Sequence, residues 1–310
     1  MDNINATIFN LPSPITLLDY WEGKKITLLI KREDLIHGQI SGNKYRKLKY
    51  NLLETKDLYI KNIVTKGGAF SNHIHATAAV GNFFKINTIA LIRGEAVENK
   101  TLDFAKENGM KLFFCDRTSY RNIDANNFQD FLPQKIENAF FIPEGGTNKL
   151  AIKGVAEMVQ EIENQLEIMP DFICTACGTG GTMTGIIEGL AGRQKALGFS
   201  VLKGDFMGNE IKQNQLQYTD NQYDNWKIIN NYHFGGYAKT NEILFDFIRD
   251  FELKYNILLD PIYTSKMMFG IFDLIEKDYF PEGSVILAIH TGGLQGWNGF
   301  LDKKLEKKAV

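Results

Sequence analysis

The placement of glycine pairs along the chain constrains its fold most strongly. Gly-Gly occurs five times in the 310 residues, at 67–68, 145–146, 180–181, 235–236 and 292–293. Four of these pairs follow an apolar run that predicts a strand: KNIVTKG, AFFIPEGG, DFICTACG and SVILAIHTGG. In open α/β sheets, ligands bind at the carboxyl ends of strands, where glycine lets the backbone approach them closely. The four pairs therefore predict one shared ligand site, although glycine is also common in ordinary turns.

The segments between these strands have helical periodicity. Further strands are predicted at ITLLIKRE, INTIALIRG and KLFFCD, and LAIKGVAEMVQEIENQL shows the spacing of an amphipathic helix. This alternation is typical of an α/β fold, in which mostly parallel, twisted sheets are flanked by helices. The length suggests about two domains, but no Pro/Ser-rich linker marks a boundary between them.

Composition and charge exclude several classes of protein. A net charge of −2 and a pI of about 6.2 give no reason to expect nucleic acid or an anionic membrane as partner. No apolar run is long enough to span a membrane, and no secretory signal is recognisable.

Cys115, Cys174 and Cys177 are too few for a disulfide framework, so we expect reduced thiols and a cytoplasmic location. The C-x-x-C at 174–177 favours buried side chains over a redox pair. No metal site is predicted.

The segment DFICTACGTGGTMTGIIEGLAG predicts a strand, a glycine loop and a helix. Gly178, Gly180 and Gly181 supply backbone N–H groups, Thr179 and Thr182 add hydroxyls, and the helix directs its positive N-terminus at the loop. The loop matches neither the P-loop nor the dinucleotide fingerprint. It therefore favours a single phosphate on a small cofactor, with a tight turn that binds nothing as the alternative.

The basic segment ISGNKYRKLKYN, residues 40–51, contains a lysine in an unfavourable position. If Asn43 is the N-cap, Lys44 is the first helical residue, where a cation opposes the helix dipole. The same field, together with desolvation, lowers a lysine pKa, as Schiff-base chemistry requires. The alternative is an ordinary surface lysine. Lys47 is expected to be solvated and Lys49 to extend its ammonium group into water.

A lone phosphate site combined with an activated lysine suggests pyridoxal phosphate as cofactor. A second helix start, in TKGGAFSNHIHATAAVG, supports a site at the same edge of the sheet. Ser71 is predicted to cap this helix, and Asn72 and His73 bring further polar groups to its start. Capping and packing alone would also explain these three residues.

Taken together, these motifs resemble one group of pyridoxal-phosphate-dependent enzymes. The chain resembles the family that contains 1-aminocyclopropane-1-carboxylate (ACC) deaminase and D-cysteine desulfhydrase, which has the tryptophan-synthase-β-like fold, also called fold type II. Seven segments carry the resemblance in order along nearly the whole chain: IKREDL, SGNKYRKLKY, GGAFSNHIHATAA, IPEGGTN, CGTGGTMTG, DPIYTSKMMFG and AIHTGG.

The resemblance implies an architecture and a role for each matching residue. It implies a large cofactor-binding domain, residues 1–47 and 155–310, a small domain, residues 48–154, an active site between them, and a homodimer. The cofactor would be bonded to Lys44 and its phosphate held by residues 178–182. The remaining implied contacts to substrate or cofactor are those of Ser71, Asn72, His73, Tyr237 and Tyr263.

Two further positions help to divide the family. Deaminases look like D-P-V-Y-E-G-K and A-H-L-G-G, whereas this chain has D-P-I-Y-T-S-K and I-H-T-G-G, as desulfhydrases nearly do. Thr264 and Thr291 would thus contact the cofactor as neutral groups. A carboxylate near the pyridine nitrogen would strengthen electron withdrawal for ring opening, and a threonine hydroxyl would suffice for β-elimination. Ala69, Phe70 and Ser265 depart from the family pattern and bear on the substrate.

The sequence therefore predicts a pyridoxal-phosphate-dependent lyase that converts D-cysteine into pyruvate, sulfide and ammonia. Lys44 would act as base, Ser71 and Asn72 would orient the substrate carboxylate, and Tyr237 and Tyr263 would shape the pocket or assist proton transfer. An ACC deaminase is the alternative within the family. A protein that binds a phosphorylated metabolite without catalysis is the alternative from another class.

Overall fold

The computed structural model describes residues 8–297 and residue 300, and it contains two sheets flanked by helices. The six-stranded sheet has the order β1-β2-β10-β7-β8-β9, and the four-stranded sheet has the order β5-β4-β3-β6. Only the β1–β2 pair is antiparallel among the strands described. The strands are β1 Ile15–Trp21, β2 Ile26–Lys31, β3 Asn62–Gly68, β4 Asn87–Arg93, β5 Lys111–Cys115, β6 Ala139–Ile142, β7 Phe172–Cys177, β8 Lys195–Ser200, β9 Trp226–Ile229 and β10 Val285–Ile289.

Helices connect most of the parallel strands, as the strand-helix alternation predicted. The α/β fold with mostly parallel sheets is confirmed. The helices are α1 Asn43–Asp57, α2 Asn72–Phe84, α3 Lys100–Glu107, α4 Arg117–Arg121, α5 Lys149–Gln165, α6 Gly181–Leu190, α7 Met207–Tyr218, α8 Glu242–Tyr255 and α9 Thr264–Glu276. No helix in the described part of the chain is long and apolar enough to cross a membrane.

The two sheets draw on different parts of the chain. Strands of the six-stranded sheet come from residues 15–31 and 172–289, and strands of the four-stranded sheet from residues 62–142. The domain boundaries expected after residues 47 and 154 fall inside helices α1 and α5, which pack against each other. The exact division into domains therefore stays a prediction.

Helix α1 is attached to both halves of the molecule. Its apolar face, with Tyr45, Leu48 and Leu52, is buried in the core around the four-stranded sheet. On another face, the Arg46 guanidinium donates to the buried Glu33 carboxylate, which follows β2, at 2.7 Å. This helix therefore has a fixed position relative to both sheets.

The glycine pairs lie where the sequence predicted. Gly67 and Gly68 end β3, and the pairs at 145–146, 180–181 and 292–293 follow β6, β7 and β10 within a few residues. Each of these four pairs contributes to the wall of one cavity. The predicted shared site at the carboxyl ends of the strands is thus present in the fold.

Candidate active site

A cavity of about 870 Å³ lies where the carboxyl ends of strands from both sheets meet. This volume is within the range of pockets that enclose a small cofactor and its substrate. The wall brings together twelve of the thirteen residues predicted for the site: Lys44, Ser71, Asn72, His73, Gly178, Thr179, Gly180, Gly181, Thr182, Tyr237, Tyr263 and Thr291.

Lys44 is a partly buried lysine whose side chain faces this cavity. Its Nζ lies 3.5 Å from the carbonyl oxygen of Gly145, and burial lowers the pKa of Lys44 to about 8. The predicted depression of this pKa therefore has a physical cause in desolvation. A neutral amine at Nζ is correspondingly accessible near neutral pH.

The start of helix α1 differs in one detail from the prediction. Asn43 is not the N-cap: the helix begins at Asn43, and Gly42 precedes it with a φ of 62°. The Asn43 amide instead donates to the Thr182 hydroxyl at 2.7 Å. A side chain on Gly42 would overlap the carbonyl of Thr291, so this glycine allows a close approach that sets where Lys44 emerges.

Lys47 was expected to be solvated, and this expectation is wrong. Its side chain is only 2 % exposed, and its Nζ donates to the Gly145 carbonyl at 3.0 Å and to the Thr147 hydroxyl at 3.2 Å. Helix α5 and the segment before it cover this face of α1. The cost of burial, followed by the charge of Lys44, holds the pKa of Lys47 well below its usual value. The i, i+3 spacing from Lys44 was the available signal, since it places both lysines on neighbouring positions of one helix face.

The glycine loop between β7 and α6 has the features of a phosphate site. No described residue accepts a hydrogen bond from the backbone N–H groups of residues 178–182. A Cβ built on Gly181 would lie 2.9 Å from Lys47 Nζ, so the buried ammonium group is adjacent to the first turn of α6. Unpaired N–H groups, a helix N-terminus and a lysine whose charged form a bound anion would stabilise together suit an anion. These residues fit the phosphate of the cofactor that the sequence predicted.

Ser71 caps helix α2, as predicted. Its hydroxyl accepts from the N–H groups of His73 and Ile74 at 3.2 and 3.4 Å. The Asn72 amide approaches the position that a Cβ on Gly293 would occupy, to within 2.6 Å, so a side chain at 293 would collide with it. This helix start therefore presents polar side chains to the cavity while the N–H groups of His73 and Ile74 are already used.

His73 is buried with a defined tautomer. The Thr65 hydroxyl donates its only hydrogen to the Ile142 carbonyl at 2.7 Å, so it must accept from His73 Nε2 at 2.9 Å. Nδ1 is then an acceptor, and it has no partner among the described residues. Burial holds the pKa of His73 well below its usual value, with the charges of Lys44 and Lys47 adding to the effect. His73 thus offers a neutral acceptor at the cavity wall.

Tyr237 and Tyr263 lie together, although 26 residues separate them. Their rings meet edge to face with centroids 6.1 Å apart. Burial raises the pKa of both hydroxyls above the usual value, so both are protonated at neutral pH. Tyr263 also approaches the glycine loop, since a Cβ on Gly178 would lie 3.1 Å from its ring.

Of Thr264 and Thr291, only Thr291 lines the cavity. The Thr264 hydroxyl accepts from the N–H group of Asp260 at 2.9 Å and donates to its carboxylate at 2.6 Å. This hydroxyl is fully buried and its hydrogen is committed at the start of α9, so the geometry does not support the cofactor contact predicted for Thr264. The departures at Ala69 and Phe70 do lie in the cavity wall, and Phe70 is 46 % exposed there.

The cysteines and potential metal ligands add no second site to the described residues. Cys174 and Cys177 are free and buried, and burial raises the pKa of both thiols, as expected of structural side chains. No group of three or more His, Cys, Asp or Glu residues in the described ranges could hold a metal ion.

Comparisons with known proteins agree with this geometry. The family described as pyridoxal-phosphate dependent enzyme matches residues 7–292. The chain is 33% identical over 293 residues to the bifunctional D-cysteine desulfhydrase/1-aminocyclopropane-1-carboxylate deaminase, mitochondrial, of Arabidopsis thaliana, covering 87% of this chain and 73% of that one. It is 30% identical over 300 residues to a putative ACC deaminase of Pyrococcus furiosus, covering 90% and 88%.

Solved structures give the same result. A crystal structure of an ACC deaminase homologue superposes with a TM-score of 0.79 at 28% identity, covering 97% of this chain and 95% of that one. A hydrogen sulfide-producing enzyme from Fusobacterium nucleatum shares the fold, with a TM-score of 0.69 at 14% identity and coverage of 92% and 96%. The chain belongs to the pyridoxal-phosphate-dependent enzyme family, in its fold type II branch. It is an enzyme with pyridoxal phosphate as cofactor, so the alternative of a non-catalytic binding protein is wrong.

Proposed function

We propose that this enzyme is a lyase of the D-cysteine desulfhydrase type, which releases pyruvate, sulfide and ammonia from D-cysteine. The observation that carries the proposal is the Lys44 amine, with a pKa of about 8, in a cavity that also contains an anion site and two tyrosine hydroxyls. When bound, pyridoxal phosphate supplies an aldehyde that bonds an amine and a ring that accepts an electron pair.

The residues that would hold the cofactor lie around one cavity, where Lys44 and Lys47 both approach the carbonyl of Gly145. The N–H groups of residues 178–182 and the Lys47 ammonium group would bind its phosphate. Lys44 would bond its aldehyde, and Asn72 and Thr291 are the further polar contacts proposed for its ring. Lys44 has one long contact to a carbonyl and Lys47 has two acceptors, so each nitrogen, when protonated, keeps a hydrogen for a ligand that carries negative charge.

The protein's part in the reaction is proton transfer and orientation. Lys44 Nζ, when neutral, would take the proton from the substrate Cα, because burial disfavours its charged form. Ser71 and Asn72 would orient the substrate carboxylate from the start of α2, with His73 beside them. Tyr237 and Tyr263 keep their protons at neutral pH and would donate a hydroxyl hydrogen to the departing sulfur.

The choice of D-cysteine over ACC depends on the residues near the cofactor. Thr291 puts a neutral hydroxyl in the cavity wall, and position 264 also has no carboxylate. Neutral groups suit elimination of sulfide, which is already a competent leaving group, better than opening of a cyclopropane ring. ACC deaminase is the second candidate, because the names of the Arabidopsis and Pyrococcus relatives include that activity.

A direct assay separates the two candidates. The purified holoenzyme is given D-cysteine, L-cysteine or ACC in parallel, and pyruvate and α-ketobutyrate are measured. We expect pyruvate from D-cysteine at a rate at least about tenfold above any release of α-ketobutyrate from ACC. Faster turnover of ACC would overturn the assignment in favour of the deaminase, and turnover of neither D-cysteine nor ACC would remove both.

A homodimer in the cytoplasm completes the proposal. The dimer rests on resemblance to the family, and sedimentation of the purified holoenzyme tests it. The location rests on three free cysteines that are all buried and unpaired with one another. Fractionation of the source cells would test it, since the Arabidopsis relative is named as mitochondrial.

A further inference from the structure

The loop that carries Tyr237 has an unfavourable backbone conformation. It connects β9 to α8, and on either side of Tyr237 the non-glycine residues Phe234 and Ala238 have φ values of 51° and 53°. Gly235 and Gly236 between them also have positive φ, of 93° and 117°. Residues with a Cβ persist in this region only where surrounding structure holds them. Some group outside the loop must therefore fix its shape.

Lys266 is that group. It lies in the first turn of α9, its side chain is 1 % exposed, and its Nζ donates to the carbonyls of His233 and Gly236, both at 2.8 Å. The loop's own backbone bonds are local: Gly236 N–H donates to His233 and Lys239 N–H donates to Gly236. The ammonium group thus joins the two carbonyls that bracket the double-glycine turn directly before Tyr237.

Two further contacts come from the same face of α9. The Phe269 ring meets the Phe234 ring edge to face at 5.0 Å, and the Tyr232 hydroxyl donates to the Asp273 carboxylate at 2.6 Å. Lys266, Phe269 and Asp273 have the spacing i, i+3, i+7, which places them on one side of a helix. Helix α9 begins directly after Tyr263 and also contacts the loop that carries Tyr237. The position of one helix therefore affects both tyrosines.

We propose that Lys266 is a positioning residue that sets Tyr237 against Tyr263 at the cavity wall. It does not line the cavity, so it acts through Tyr237 and not on the substrate or cofactor. The hydrogen bonds from Lys266 to the carbonyls of His233 and Gly236 do not depend on the charge of Lys266, because an ammonium group and a neutral amine both have enough hydrogens for two carbonyls. The kinetic consequence rests on the proposed function, whereas the structural consequence does not.

Amide hydrogen exchange tests the structural consequence. In Lys266→Met holoenzyme, the two carbonyls lose their donor while the length of the side chain is nearly kept. We expect amides of residues 233–239 to exchange at least about tenfold faster than in the wild type, and amides of residues 178–182 to be unchanged. Lys254→Met is the control, since it removes an exposed lysine that contacts Asp19 and leaves the loop intact. Unchanged exchange at 233–239 would overturn the proposal.

A double-variant cycle tests the kinetic consequence. We expect Lys266→Met to lower kcat/KM for D-cysteine by about 100-fold, the scale of a misplaced catalytic group, while the affinity for pyridoxal phosphate stays within about twofold. In a Tyr237→Phe background the same change should have almost no further effect, because the hydroxyl that it positions is gone. Effects that multiply in the double variant would show a general structural role and overturn the proposal.

A replacement variant and a comparison with wild-type activity make the test of Lys266 decisive. If Lys266→Met does not fold, Lys266→Gln replaces it in both experiments, since its amide nitrogen lies one bond closer to the backbone and no longer reaches both carbonyls, and the same outcomes apply with smaller changes. If the wild type turns over neither D-cysteine nor ACC, the proposed function fails, and hydrogen exchange alone decides whether Lys266 holds the loop. If the wild type is active and the effects multiply, only the positioning role fails.

Discussion

Helices α2 and α6 both begin at the cavity, close to the end of a strand and next to or within a glycine pair, yet their N-termini differ. At α2, the Ser71 hydroxyl accepts from the N–H groups of His73 and Ile74, so the helix caps itself. At α6, Gly180 provides no side chain for a cap, and no described residue accepts from the loop's N–H groups. The same local motif therefore offers side chains to a substrate in one case and bare N–H groups to an anion in the other.

The largest effect is expected at Lys44, which lines the same cavity but belongs to neither of these helices. Lys44→Ala should abolish turnover and prevent borohydride from fixing the cofactor to the protein, because no amine remains to bond its aldehyde or to take the Cα proton. The α6 start is unchanged in this variant, so pyridoxal phosphate should still bind without a covalent bond. Pyruvate release and mass spectrometry after borohydride treatment provide the measurements, and full activity would contradict the mechanism.

Lys47→Met should weaken the anion site at α6. A hydrogen bond to a charged group contributes about 1.5–3 kcal/mol, so the Kd for pyridoxal phosphate should rise roughly 10- to 100-fold. Lys49→Met is the matched control, because this lysine lies on the same helix, pairs with Glu157 and is partly exposed. Absorbance titration of the apoenzyme measures both values. Equal affinities in the two variants would remove Lys47 from the phosphate site.

The pKa of Lys44 predicts how cofactor incorporation depends on pH. Only the neutral amine bonds an aldehyde, so the rate at which apoenzyme forms its coloured complex should rise about tenfold per pH unit up to about 8 and level off above it. A lysine with an ordinary pKa would show a rise that continues to about 10.4. Stopped-flow absorbance at several pH values distinguishes the two curves, with Lys44→Ala as the blank.

The smallest effect is expected at the capped helix start. Ser71→Ala removes the cap of α2 at a cost of about 1 kcal/mol, measurable by urea unfolding. The KM for D-cysteine should rise several-fold because a proposed carboxylate contact is lost, while the Kd for pyridoxal phosphate stays within about twofold of the wild type. If this variant weakened cofactor binding as much as Lys47→Met, the contrast between the two helix starts would not hold.

The parts of the site that sequence could predict are local. The run from β7 through the glycine loop to α6, and the cap at Ser71, depend on residues within one or two turns of each other, where strand pattern and capping preference act directly. Three strands were not predicted: β1, ITLLDYW, β8, KALGFS, and β9, WKII. Strand β1 lies at the edge of its sheet with only one buried residue, β8 contains a glycine and β9 has four residues, so none gives a strong periodic signal.

The parts that sequence could not predict depend on contacts that are formed only in the folded structure. Lys47 is buried because residues about 100 positions away cover its face of α1, which periodicity within α1 does not reveal. The Thr264 hydroxyl has a correct motif around it, but its hydrogen is bound by Asp260, four residues earlier. Motif matching assigns a position to a site, and only tertiary contacts decide which atoms remain available there.

The double attachment of α1 bears on how this scaffold could be recombined with its relatives. The helix carries Lys44 at its first turn, contacts Thr182 through Asn43, and buries Leu48 and Leu52 among residues of the four-stranded sheet. A crossover point within α1 would pair one parent's lysine with the other parent's packing. We therefore expect functional chimaeras when the exchanged block contains the whole of α1 with residues 58–142, so that Lys44 and the packing of its helix come from one parent.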